Sequence, residues 1–321
     1  MEQQTAVMIT VEDAAGFLAA HDNYLIITHK QPDGDTLGCA AGLCAGLRGL
    51  GKQANILKNP QTTRSYTALT APYEVYTEDL RGYTLVAVDV PAKANAQVNF
   101  PYKENNIKLL VDHHSGHPGF AERNLIMPHL ASCGEVVFLI LKSLNAEITP
   151  EIANALYTAV STDTGCFRYK NTTAETLAAA AELVAFGAEN GRINYELFTV
   201  KRLSRIRLEA AVIAGLEFYG GGEVAVASIT PAMIAAADAD EADMEDLANI
   251  ALMPSGVETA VTLREMSEGV TKLSVRTANK PNAADICRQL GGGGHGMAAG
   301  ANIKAPLSEA KKMTLEAVSI N

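Results

Sequence analysis

Tryptophan is absent from this chain, and the aromatic content is only 6%. A broad base-stacking platform for single-stranded nucleic acid needs more rings than that. Positive charge is also short: 26 lysines and arginines stand against 36 acidic residues, for a net charge of −10. Affinity for long duplexes comes mainly from cations that neutralise phosphates, so the chain reads as a poor general duplex binder. A phosphate-bearing partner is then small or gripped locally. No Cys-x-x-Cys pair occurs, and the five cysteines (Cys39, Cys44, Cys133, Cys166 and Cys287) are an odd number. That argues against a disulfide framework and for small buried thiols in a reducing compartment. No uninterrupted apolar stretch is long enough to cross a bilayer, and MEQQTAVMIT lacks the basic and apolar regions of a secretion signal. A cytoplasmic protein with no membrane contact is the expectation.

What is present is an ordinary globular composition, 48% hydrophobic and 19% charged, over 321 residues, enough for two domains. Residues 10–20 read as a helix capped by Thr10. Runs at 24–29, 53–58, 84–90 and 107–112 read as strands, and 36–50, 134–144, 151–164 and 173–186 as helices. This alternation implies an α/β fold, a parallel sheet with helices on both faces, over residues 1–190. Residues 191–215 read as a helical linker whose Lys201, Arg202, Arg205 and Arg207 either line a cleft between domains or solvate a helix. Residues 216–321 read as a smaller α+β domain: strand 223–229, helix 241–252, paired strands 258–266 and 271–277, helix 282–290 and a last helix from Pro306. The acidic stretch 238–246 reads as charge at a helix start rather than a metal site.

Three apolar runs in the first domain end in acid or histidine. YLIITH is followed by PDGD, LVAVD ends at Asp89, and KLLVDHH ends in Asp112, His113 and His114. Short β-branched runs read as buried parallel strands, whose carboxyl ends share one crevice. His29, Asp33, Asp35, Asp89 and His113 therefore converge, and Asp163 joins them from the end of helix 151–164. An Asx-turn explains Asp33 and Asp35 equally well when they are taken alone. Carboxylates left bare together repel and are costly to desolvate, and divalent cations stabilise such a cluster. Six candidate ligands rich in carboxylate, with imidazole and without thiolate, favour two Mn²⁺ ions, with Mg²⁺ as the alternative, sharing one bridging carboxylate. His21, His117 and His129 read as surface or turn histidines.

GGGGHGMAAG, residues 291–300, reads as a phosphate cradle, because consecutive glycines let backbone amides approach an anion. Gly292, Gly293, Gly294 and His295 would contact it. Arg264 and Arg276, on adjacent expected strands, would add a bidentate clamp. Lys272 and Arg288 are expected in solvent.

HKQPDGDTLG, VAVDVP, VDHH and STDTGCFRY, in that order, resemble the four motifs of the DHH phosphoesterases, and GGGGHGMAAG resembles the glycine motif of their associated C-terminal domain. Among these proteins the chain is similar to the stand-alone bacterial nanoRNases, bifunctional oligoribonucleases and 3′-phosphoadenosine 5′-phosphate (pAp) phosphatases. The resemblance implies hydrolysis by water of short RNA oligonucleotides and pAp, with no long duplex as substrate. It implies that His29, Asp33 and Asp89 hold one metal, and Asp35, Asp89, His113 and Asp163 the other. His114 would contact the scissile phosphate and protonate the leaving oxygen, and Asp112 would orient the imidazoles. Cys39 and Cys133-Gly134 depart from the family pattern, and neither is expected to touch a ligand residue. A phosphodiesterase for cyclic di-AMP or pApA is the alternative; a RecJ-like exonuclease or a non-catalytic nucleotide-binding module is disfavoured. A homodimer remains open.

Overall fold

The computed structural model describes residues 7–101, 106–244, 247–267, 269–279, 281–294 and 296–319. Contacts divide the chain into two units, residues 1–200 and 201–321.

The first unit runs β1 (Val7–Met8), α1 (Val11–Ala20), β2 (Tyr24–Ile27), α2 (Gly34–Gly49) and β3 (Ala54–Leu57). One turn of helix, α3 (Thr67–Thr70), and strand β4 (Glu74–Val75) follow. Then come β5 (Thr84–Val88), β6 (Leu109–Asp112), β7 (Arg123–Ile126), α4 (Cys133–Ser143), α5 (Pro150–Asp163), α6 (Ala174–Ala185) and α7 (Asn190–Phe198). The strands form one seven-stranded sheet, β1-β7-β6-β5-β2-β3-β4, with every pairing parallel.

Strand alternation divides the apolar residues between two cores. Tyr24, Ile26, Val86, Val88, Leu109 and Val111 face α1, α2, α4 and α5. Leu25, Ile27, Leu85, Ala87 and Leu110 face the other way, where Val90, Ala96, Phe100 and Ala121 close the layer. The parallel α/β sheet is thus as expected, but its α-helices gather on one face among the described residues. The crossovers on the second face carry Pro91, Pro101 and Pro118 and no helical repeat, which favours irregular packing.

Close packing of α2 on α5 follows from a glycine every fourth residue. A Cβ on Gly38 would lie 2.4 Å from the Ala155 carbonyl oxygen, and one on Gly42 2.6 Å from Leu156 Cδ2. The bare stripe lets the backbones touch. It also sets the start of α2 against the end of α5, where Asp33, Asp35 and Asp163 stand.

The second unit contains α8 (Leu203–Ala214), β8 (Glu217–Tyr219), β9 (Val224–Ile229), α9 (Pro231–Ala237), β10 (Thr259–Ser267) and β11 (Val270–Thr277). It ends with α10 (Ala283–Gln289), β12 (Gly293–Gly294), β13 (Ala298–Ile303) and α11 (Leu307–Ser319). Its sheet runs β12-β13-β11-β10-β9-β8, with β9 and β10 parallel and the other pairs antiparallel. Residues of α10 and α11 cover one face, and residues of α8, α9 and 247–252 the other.

Two expectations change here. The helix expected over 241–252 is a pair of 3₁₀ turns, Glu241–Met244 and Leu247–Leu252. Asp243 Oδ2 accepts the Asp240 N–H and Asp240 Oδ1 that of Ala242, local bonds that compete with a helix. The acids of this stretch are not simply helix-start charge: Asp240 and Asp243 pair with Arg202, and Asp243 is buried. The expected linker is also divided, since Ile193 of α7 joins the first unit's core and Leu208 and Val212 of α8 join the second unit's. Lys201 and Arg205 pair with Glu209 on α8 itself. Among the described residues no helix is long and apolar enough to cross a membrane.

Candidate functional site

β6, β5 and β2 are neighbours in a parallel sheet, so their carboxyl ends open on the same side. Asp89 follows β5 directly, in the left-handed region with φ 55°. His29 lies two residues beyond β2, and Asp112, the last residue of β6, is followed by His113 and His114. Asp33 caps α2, its Oδ1 accepting the N–H groups of Asp35 (3.1 Å) and Thr36 (3.2 Å). The turn explanation therefore holds for Asp33, and it places the same oxygen beside His29.

His29 Nε2 stands 3.5 Å from Asp33 Oδ1 and 3.6 Å from Asp89 Oδ2. His113 Nε2 stands 3.6 Å from Asp35 Oδ2, 3.7 Å from Asp89 Oδ1 and 3.5 Å from Asp163 Oδ2. These gaps exceed good hydrogen bonds. They suit two donors on one cation, since ligands about 2.1 Å from an ion are roughly 3.0–3.6 Å apart. Asp89 Oδ1 is buried and has no hydrogen-bond partner among the described residues.

Crowding shows in the proton affinities. Burial, then the charges of Asp89, Asp163 and Asp33, drive Asp35 well above the usual carboxylate range. Asp163 is pushed up to about 7 by burial, with Asp89 and Asp33 raising it further against the pull of His113. Burial works to lower His29, but Asp33 and Asp89 outweigh it and raise the imidazole to about 10. Acids that hold protons because they repel one another suit a divalent cation. The residues present therefore fit a metal centre. His29, Asp33 and Asp89 form one donor group, Asp35, His113 and Asp163 a second, and Asp89 with His113 and His114 a third, each spanning at most 4.8 Å.

Cys39 and Cys133-Gly134 do touch a candidate ligand residue, contrary to expectation. Asp35 Oδ2 accepts the Cys133 N–H (2.8 Å), and Asp35 Oδ1 accepts the Gly134 N–H (2.9 Å) and the Cys39 thiol (3.3 Å). The N-terminus of α4 thus grips Asp35. That terminus is fixed by a reciprocal cap: Ser132 Oγ accepts from Glu135 N, and Glu135 Oε2 accepts from Ser132 N (3.1 Å) and Ala131 N (2.8 Å). SCGE, residues 132–135, was a capping-box signal for this anchor.

Asp112 is fully buried and takes both the backbone N–H of His114 (2.6 Å) and its Nδ1 (2.9 Å). Burial alone would lower the pKa of His114, but Asp112, Asp89 and Asp163 hold it above the ordinary value. His117 is not a surface residue, because its side chain is fully buried. Its Nδ1 accepts the Gly119 N–H, which leaves Nε2 to donate to the Val90 carbonyl at 2.9 Å. His21 and His129 are exposed, as expected. His29, Asp33, Asp89, His114 and Asp163 border a cavity of about 240 Å³, whose wall Pro91 and Asn95 complete.

In the second unit the expected clamp does not assemble. Arg264 pairs in register with Lys272, and Arg276 with Ala260. The arginines share a sheet face but are offset by four residues, roughly 13 Å along a strand. Arg264 is also engaged by Glu241 through both terminal nitrogens, at 2.8 and 2.5 Å. The glycine run is no linker. The Gly291 and Gly292 amides donate to Arg288 and Cys287 carbonyls at the end of α10, and Gly293 and Gly294 pair with β13. A Cβ on Gly292 would meet the Gly300 carbonyl oxygen at 2.1 Å, so close approach to β13 requires glycine there. The Gly292 amide is thereby committed to the helix end rather than to an anion. His295 lies outside the described residues. Lys272 and Arg288 are exposed, as expected, Arg288 being paired with Asp285.

The DHH family N-terminal domain matches residues 23–160, and the DHHA1 domain matches residues 221–319. The chain belongs to the DHH family. It is 35% identical over 295 residues to the bifunctional oligoribonuclease and PAP phosphatase NrnA of Thermus thermophilus, covering 91% of this chain and 88% of that protein. A crystal structure of an exopolyphosphatase-related protein from Bacteroides fragilis has the same fold, with a TM-score of 0.88, 23% identity, and coverage of 96% of this chain and 95% of that one. Exonuclease RecJ bound to manganese shares it more loosely, with a TM-score of 0.57, 16% identity, and coverage of 97% of this chain and 94% of that one.

Proposed function

We propose that this DHH phosphoesterase hydrolyses short oligoribonucleotides and pAp to mononucleotides, as a cytoplasmic enzyme that uses two Mn²⁺ ions. The observation that carries the reading is Asp89, whose oxygens adjoin His29 on one side and His113 on the other. His29, Asp33 and Asp89 would hold one ion, and Asp35, Asp89, His113 and Asp163 the second. When bound, such a pair lowers the pKa of the attacking water and offsets charge that develops on the phosphoryl oxygens. Manganese suits a donor set of carboxylate and imidazole, and the names of the RecJ structure and the NrnA relative support metal and substrate class.

The chain's own residues do the rest. Asp112 binds His114 Nδ1, which would leave Nε2 to serve the substrate. With Nδ1 tied to Asp112, Nε2 would carry the proton for the leaving oxygen. Arg276 and the exposed strand edge at Gly293–Gly294 would hold a further part of the nucleotide. The acidic net charge fits small substrates that are gripped locally.

A substrate panel with Mn²⁺ tests this: pAp, pApA, cyclic di-AMP, RNA dimers to pentamers and an RNA of twenty nucleotides, with Asp89→Ala as control. Short linear substrates should be hydrolysed, the long RNA hardly at all, and the variant should be nearly inactive. Equal turnover of the long RNA would defeat the short-substrate reading. A preference for cyclic di-AMP would replace it with the alternative.

A further inference from the structure

Pro91 and Asn95 complete the cavity wall, and the two differ in what they can offer a ligand. Proline has no N–H. Asn95 has both backbone groups occupied, its N–H donating to the Ala92 carbonyl (2.8 Å) and its own carbonyl accepting from Lys30 N (2.7 Å). The side-chain carboxamide has no hydrogen-bond partner among the described residues. It is therefore the polar function that Asn95 can present to the cavity.

The segment that carries it is held firmly. Ala96 forms a bridge with His29. Gln97 Oε1 accepts from the Thr28 N–H (3.1 Å) and hydroxyl (3.0 Å), and the Gln97 N–H returns to the Thr28 carbonyl (2.9 Å). Asn59 Nδ2 donates to Thr28 Oγ1 (2.9 Å) and to the His29 carbonyl (2.8 Å). Thr28, Asn59 and Gln97 are all buried. A satisfied buried network of this kind specifies one geometry, so Asn95 is registered against His29.

The cavity is rich in acceptors and poor in donors. Its ionised carboxylates can only accept, and a phosphate ester brings further acceptor oxygens. With His29 Nε2 given to a cation between Asp33 and Asp89, His114 offers one N–H. A neutral amide adds a second donor without adding charge to an already crowded site. We propose that Asn95 is a substrate-binding residue, its carboxamide N–H donating to a non-bridging phosphate oxygen. The inference rests on the phosphoester reading above.

The test uses the Mn²⁺-loaded protein with Asn95→Ala and Asn95→Asp. Orthophosphate binding by calorimetry reads the contact without turnover, and kcat and KM for pAp read it in the reaction. Melting temperature and Mn²⁺ titration by electron paramagnetic resonance serve as controls. Asn95→Ala should weaken orthophosphate binding and raise KM about ten- to hundredfold, the effect of one hydrogen bond to a charged group. Asn95→Asp should weaken binding at least as much, with melting and Mn²⁺ binding unchanged in both. Orthophosphate affinity and KM equal to the wild type in Asn95→Ala would overturn the proposal. So would a loss of Mn²⁺ affinity, which would place Asn95 in the cation site. If the wild type cleaves no member of the panel, the functional reading fails, while the calorimetry still decides on Asn95.

Discussion

The backbone N–H of Gly134 donates to Asp35 Oδ1 over 2.9 Å, linking residues 99 apart in sequence. With the Cys133 N–H on the other oxygen, the first turn of α4 sets where Asp35 points. Ser132 and Glu135 fix that turn, so a change outside the ligand set should reach the metal centre. Ser132→Ala should cost about 1 kcal/mol of stability, the usual effect of losing an N-cap. It should also weaken Mn²⁺ affinity, roughly tenfold or more, as loss of a ligand's supporting partner does. Urea unfolding and Mn²⁺ titration read the two effects separately. Lost stability with unchanged Mn²⁺ affinity would mean that Asp35 does not depend on this terminus.

Thiol chemistry separates one cysteine from four. Cys39, Cys44, Cys133 and Cys287 are buried, and Cys166 is partly exposed. Burial pushes the thiol of Cys44 up to about 12 and that of Cys287 up to about 11. At pH 8 both lie far below their pKa values and stay protonated, whereas the thiolate is the reactive form. A disulfide reagent at pH 8 should titrate one thiol quickly in the native protein and five in guanidinium. Two or more fast native thiols would contradict the burial described here.

The strand ends were readable because a run such as LVAVD carries its meaning locally, with apolar residues buried on both faces and then an acid where the strand stops. The helix grip on Asp35 was not, because a backbone amide has no letter of its own; only the SCGE cap hinted at it. His117 reads as a surface or turn histidine because its acceptor, Val90, lies 27 residues away. β1 and β4 are two residues long, too short for periodicity to register. Glu241 appeared to be part of a charge run, and only the folded unit brings it to Arg264.

The glycine spacing of α2 makes a paired prediction with opposite signs. At Gly38 an added methyl would press on a backbone oxygen of α5 at 2.4 Å, which cannot swing aside as a side chain can. Gly38→Ala should destabilise the protein by about 1–3 kcal/mol through overpacking. Because α2 starts at Asp33 and α5 ends at Asp163, the strain should also lower Mn²⁺ affinity. Gly16, inside α1, is exposed with nothing within 4 Å of an added Cβ. There Gly16→Ala should stabilise by about 0.5–1 kcal/mol, through helix propensity alone. Chemical denaturation of the two variants gives both signs, and equal effects would show that α2 and α5 are not in contact as described.

Arg264 and Arg276 face the same side of the second unit's sheet, yet their surroundings assign them different work. Arg264 is largely buried, its side chain 16% exposed, and its terminal nitrogens are bound to Glu241. Removing it strips packing from β10 and releases the turn at Glu241–Met244. Arg276 has no carboxylate partner among the described residues; one of its nitrogens donates to the neighbouring Val275 carbonyl at 3.1 Å. Its charge is thus available to an anion. Arg264→Ala should lower stability by about 1 kcal/mol and leave KM for pAp near the wild-type value. Arg276→Ala should leave stability within about 0.5 kcal/mol and raise KM roughly tenfold or more, because a charge-assisted contact is lost. Unfolding curves and steady-state kinetics on the two variants make the comparison. If Arg264→Ala raises KM as much as Arg276→Ala while melting is unchanged, the Glu241 pair opens in solution and both arginines meet the substrate.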